Sequence, residues 1–154
     1  MGYTKDHCDL DAQTTPRGFA KRLGLGNLGL TVHILARGEG YDFYHNHREQ
    51  EEVYFCLEGT ADLLIDEGET PRRLTLARGD AVRVDANTLR ALGNQSSERA
   101  VVLIAGACPH PYPAGIGHHD VIADVLKTVG HGTTGFQMPA NFDDRSGTIG
   151  DEEC

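Results

Sequence analysis

The segment GYDFYHNHREQEEVYFCLEG, residues 40–59, decides how this chain is read. His45 and His47 stand two apart in an extended run, where alternate side chains leave the same face, so both imidazoles point to one side. Glu52 opens the following strand, close enough across the turn to aim a carboxylate at the same point. Two imidazoles and one carboxylate form the facial set that suits Fe, Mn, Ni, Cu or Zn and leaves positions open for substrate. One divalent transition metal is the expected cofactor, with His45, His47 and Glu52 as its ligands. An isolated HxH is more often a solvated pair. Gly40 before the pair and Gly59 after the acid favour the site.

Outward from this segment, the sequence reads as strands separated by turn signals. The candidates are TVHILARG from Thr31, YDFYHNH, EEVYFCLEGTADLLIDEGE with a hairpin about Gly59, RRLTLARGDAVRVDA, and RAVVLIAGA. Short strands at this spacing, with no long helical pattern between them, point to an antiparallel sandwich or barrel. Residues 1–30 are polar and Gly-rich and read as an N-terminal arm packed on the body at 31–107. The pattern changes in the extension at 108–154. Val121, Ile122, Val125, Leu126 and Val129 follow helical spacing between Asp120 and Gly130, which predicts a short amphipathic helix at about 120–129. An acidic, Gly-rich and loose tail follows. GLGNLG at 24–29 spells GxGxxG but precedes a β-branched segment rather than opening a helix, so it is set aside as a dinucleotide site.

The central segment resembles the first motif of the cupin superfamily, through Gly40, His45, His47, Glu52 and Gly59, with the first spacer one residue short of the usual five. The second motif of that superfamily lands on GDAVRVDANTLRALGN, residues 79–94. There Gly79 and Asn94 fit, while Asp85 replaces Pro, Asn87 replaces Gly and Arg90 replaces His. The resemblance implies a jelly-roll β-barrel over about 31–107, and a metal held by two histidines, the glutamate and normally the second-motif histidine. Arginine cannot supply that fourth ligand, because its guanidinium stays protonated and offers no lone pair. Two arrangements stay open. Arg90 turns toward the barrel mouth beside a three-ligand metal and binds an anionic substrate, or it points inward, pairs with Glu52 and abolishes metal binding. Tyr54 and Cys56 share Glu52's parity and face the interior, Tyr54 as a substrate contact and Cys56 as packing. His33, one strand earlier, is a candidate replacement ligand and more readily a structural residue.

These features set the functional expectation. It is a metal-dependent oxygenase or isomerase acting on a small anionic molecule; the alternative is a non-catalytic ligand-binding or structural protein with Arg90 on Glu52. The chain has 154 residues, and 14 Lys+Arg against 23 Asp+Glu give a net charge of −9, which leaves no electrostatic footprint for nucleic acid or an anionic membrane. Its four cysteines, at 8, 56, 108 and 154, form no CxxC pair, which excludes a zinc ribbon and suits a reducing cytoplasm. Val53, Phe55 and Leu57 make the outer face of their strand apolar too. Such a strand needs a cover, which the C-terminal helix or a second subunit would supply; a homodimer is expected.

Overall fold

Runs rich in Val, Ile, Leu and Tyr punctuated by Gly, Asn and Asp favour pleated, half-buried strands joined by tight turns. The computed structural model describes residues 2–12, 15–41, 43–66, 71–107 and 122–128. Among these described residues, ten strands and one helical turn follow in chain order: β1 (Thr15–Gly18), α1 (Ala20–Leu23), β2 (Leu28–Leu35), β3 (Phe43–His47), β4 (Glu51–Glu58), β5 (Thr60–Asp66), β6 (Arg72–Ala77), β7 (Ala81–Val84), β8 (Leu89–Gly93), β9 (Ala100–Ala107) and β10 (Ile122–Thr128). They form two five-stranded antiparallel sheets, ordered β1-β2-β9-β4-β7 and β10-β3-β8-β5-β6. This is the all-β, cupin-type jelly roll that the sequence predicts. No helix among the described residues is long and apolar enough to cross a membrane.

Two expectations are corrected. The hairpin about Gly59 does not form: β4 pairs with β7 and β9, and β5 with β6 and β8, so the chain passes from one sheet to the other at this glycine. Gly59 takes φ 68°, and a Cβ there would overlap the Arg99 carbonyl, so the corner requires glycine. The helix predicted at about 120–129 is replaced over Ile122–Thr128 by β10, which runs antiparallel to β3 from Ile122 opposite His47 to Thr128 opposite Phe43. Its β-branched residues suit a strand, and the far edge of β3 offers unpaired backbone groups that a helix could not satisfy. The acidic tail lies outside the described residues.

The interior between the sheets is apolar, with Leu35, Leu63, Leu92, Val102 and Ile104 packed together. A second cluster lies on the outer face of the first sheet, where Val32, Ile34 and Val101 meet Cys8, Ala12 and Phe19 of the N-terminal segment. Arg99 ties that segment down, donating to the Leu10 carbonyl at 2.7 Å and to Glu58 at 2.9 and 3.0 Å.

Candidate metal centre

β3 and β4 belong to different sheets, and residues 48–50 carry the chain between them. That crossing brings the His45 and His47 side chains to Glu52. All three are buried, and their candidate ligand atoms lie within 4.8 Å of one another. Arg90 joins them from β8, where it is the register partner of His45; directly opposed residues share a face of the sheet. The turn leading into β8 is held against the end of β3 by the Asn87 amide, which donates to the His47 carbonyl at 2.7 Å. Asn87 has φ 65°, so it meets the left-handed conformation required where the second motif has glycine. Asn94, fully buried, donates to the Leu35 and Glu98 carbonyls and secures the far end of β8.

Arg90 is 0% exposed and points inward. Its Nε and Nη2 donate to Glu52 Oε2 at 3.1 and 2.8 Å, and Nη1 donates to the Thr88 carbonyl at 2.8 Å. The Tyr54 hydroxyl donates to the same Oε2 at 2.6 Å. One carboxylate oxygen is thus saturated by a cation and a phenol, while Oε1 is left for Gln50 Nε2 at 3.1 Å and for the histidines. His47 Nε2 lies 3.0 Å from Oε1 without the alignment of a hydrogen bond. Ligands about 2.1 Å from a common ion and at right angles to each other are themselves about 3 Å apart, so this spacing fits two donors sharing a metal.

Three further observations test that fit. His47 Nδ1 and His45 Nδ1 are buried with no hydrogen-bond partner, and His47 Nε2 has only its contact with Glu52 Oε1, an unusual cost unless another group is accommodated. Burial, then the charges of Arg90 and His47, holds His45 well below the ordinary histidine value, so its ring is neutral and able to ligate. Burial opposes the Glu52 charge, but His47 and Arg90 overcome it and hold the carboxyl well below its usual range. The residues present therefore fit a divalent ion on His45, His47 and Glu52 Oε1. Arg90 does not turn toward the barrel mouth: it takes the inward pairing with Glu52, on the opposite oxygen, and leaves Oε1 to the histidines.

Other expected residues fall as follows. Tyr54 is buried against Glu52, and burial with the Glu52 charge raises its hydroxyl well above the ordinary tyrosine value. Cys56 is buried in the core, where burial raises its thiol. His33 faces the Tyr41 hydroxyl, 3.1 Å from its Nε2, and is not in the ligand cluster. Asp85, which replaces the second motif's Pro, pairs with Arg83 at 2.9 Å. Gln50 was not singled out from sequence, although it has the parity of Glu52 one step before the strand. Gly106, beside Glu52 on β9, leaves room for it, since a Cβ there would overlap the Gln50 amide.

The two depressed pKa values predict acid lability. The unfolded chain takes up a proton on His45 near 6.5 that the folded chain refuses, and one on Glu52 near 4.5. Both contributions are present above those values and are lost as pH falls toward the depressed folded values, each with a limiting slope of about 1.4 kcal/mol per pH unit. Urea midpoints of chelator-treated protein should fall from about pH 6.5 downward; a flat profile between 6.5 and 4.5 would contradict this electrostatic picture.

Comparison with known proteins places this geometry in context. A family model described as a cupin domain matches residues 31–106. No curated protein matches the chain significantly. Among solved structures, the chain is similar to a cupin protein from Bacteroides fragilis, at 21% identity and a TM-score of 0.61, covering 82% of this chain and 98% of that one. It is similar to an RmlC-like cupin family protein from Methanocaldococcus jannaschii, at 16% identity, TM-score 0.57, and 70% and 93% coverage. It is also similar to a sugar phosphate isomerase from a cupin superfamily of Silicibacter pomeroyi, at 23% identity, TM-score 0.51, and 66% and 75% coverage. At these identities the likeness concerns the fold.

Proposed function

This chain belongs to the cupin superfamily, and we propose that it is a metal-dependent enzyme acting on a small anionic molecule, of the isomerase rather than the oxygenase class. The observation that carries the reading is the buried convergence of His45, His47 and Glu52 with imidazole nitrogens left unpartnered. The Silicibacter pomeroyi structure, described as a sugar phosphate isomerase, supports the choice of isomerase and suggests a phosphorylated sugar as substrate class. His45, His47 and Glu52 Oε1 would hold the ion, which supplies Lewis acidity to a coordinated carbonyl or hydroxyl oxygen. Arg90 and Tyr54 clamp Oε2 and so fix the rotation of the carboxylate. Tyr54 stays protonated at neutral pH and acts as a donor, not a base. The burial of all these groups keeps water away and strengthens each charge interaction.

Metal analysis tests this reading. Protein purified without chelator should carry about one transition metal per chain, with His45→Ala and His47→Ala losing most of it. Equal metal content in parent and variants would defeat the reading. Phosphorylated sugars followed by NMR in deuterated buffer would then separate isomerisation from simple binding. A second reading, a non-catalytic ligand-binding protein, is favoured by the Arg90–Glu52 pair itself, which partly neutralises the only carboxylate of the cluster.

We also propose a cytoplasmic homodimer. Val53 and Phe55 are 38% and 37% exposed on the outer face of β4, next to the cluster that the N-terminal segment covers. Light scattering should give twice the 16.7 kDa chain mass; a clean monomer at micromolar concentration would exclude the dimer.

A further inference from the structure

We propose that a divalent metal and a small oxyanion, carboxylate or phosphate, bind this site cooperatively, and that Arg90 makes them do so. The inference rests on the metal-site reading above and concerns charge. The ligand cluster contains a single carboxylate, Glu52. That carboxylate already accepts bonds from two of the three Arg90 nitrogens, from Tyr54 and from Gln50. Arg90 cannot shed its proton, and its charge is buried, at 0% exposure. A divalent ion would therefore add two positive charges to a pair that is already neutral, with His45, His47 and Glu52 all below 5% exposure. A neutral histidine at position 90 would leave that excess one charge smaller. Buried excess charge is costly, and an oxyanion in one of the open coordination positions removes part of it.

The consequence is reciprocal. If the anion tightens the metal, the metal tightens the anion by the same factor. Metal alone and anion alone should each bind weakly, and the pair tightly. The arginine thereby restricts the loaded site to anionic ligands without having to touch them, and neutral analogues lack the charge that balances it. Arg90 acts here through its charge on the metal site, as a positioning and selectivity residue.

Cobalt(II) titration of chelator-treated protein in perchlorate buffer, read by its visible absorption, tests the proposal. Acetate and inorganic phosphate are added in separate arms at matched free cobalt. At least one should tighten cobalt binding by about tenfold or more and alter the absorption bands, and the more effective anion identifies the ligand class. In Arg90→Gln, cobalt should bind more tightly without anion, and the added oxyanion should change its affinity little; Arg90→Lys should retain the coupling. Tight cobalt binding indifferent to both anions in the parent protein overturns the coupling and leaves the metal site standing. Full coupling in a folded Arg90→Gln overturns the role of Arg90. Failure to bind cobalt under any condition overturns the metal reading and the coupling together. Should Arg90→Gln not fold, the parent protein and Arg90→Lys still decide, since loss of coupling in a folded lysine variant contradicts a role for the charge.

Discussion

Glu52→Ala should cost the chelator-treated protein about 3–5 kcal/mol, the usual effect of removing one partner of a buried ion pair. The expectation follows from what the substitution leaves behind. Arg90, fully buried on β8, would keep only the Thr88 carbonyl and the Tyr54 hydroxyl, neither of them a carboxylate, and that hydroxyl would lose Glu52 as its acceptor inside the barrel. For a domain of this size, the melting temperature should fall by roughly 6–20 °C. Working with chelator separates this loss from that of a bound metal, which would stabilise the parent by mass action. The double variant Glu52→Ala/Arg90→Met should recover much of the loss, because no unpaired buried charge remains and methionine fills most of the arginine's space. Glu52→Ala melting within 2 °C of the parent would mean that the guanidinium finds another partner and that the pair is not what anchors it.

Arg90→His should have the opposite effect on metal, tightening it by about a hundredfold or more. Two unit charges 4 Å apart interact by about 4 kcal/mol at an effective dielectric of 20, and a divalent ion beside an arginine at that separation meets roughly twice as much. Glu52 offsets part of this, and each 1.4 kcal/mol that remains corresponds to a factor of ten. Histidine removes the repulsion and offers a fourth donor from the position opposite His45 on β8. The register makes the test specific, since the new imidazole would enter on the face already occupied by His45. Isothermal titration of the same ion into both proteins measures the ratio. Unchanged affinity would mean that position 90 does not face the ion and that the centre is not where His45, His47 and Glu52 converge.

The cluster of candidate metal ligands was legible from sequence because its determinants are local. Side-chain alternation in an extended strand places His45 with His47 across two residues, and a short turn returns Glu52 to them. The chemistry of arginine made position 90 the point of decision, but not its outcome. Whether the guanidinium reached solvent or Glu52 depended on β8 lying beside β3, a pairing between residues 45 apart in sequence. Gln50 escaped notice for a related reason: its burial depends on Gly106 leaving space on a strand far away in the chain.

The same division runs through the fold. The alternation and the turn residues of 31–107 determined an all-β barrel, since a period of two can bury one face only as a strand. Gly59 was visible as a turn, but both a hairpin and a sheet-to-sheet corner accept a left-handed glycine. The approach of the Arg99 carbonyl and the partners of β4 and β5 decide between them. Residues 122–128 make the point most clearly. Their apolar spacing suits a helix and their β-branched composition suits a strand, so local preference was nearly balanced. Only the assembled barrel presents the free edge of β3, and the backbone hydrogen bonds available there tip that balance toward a strand.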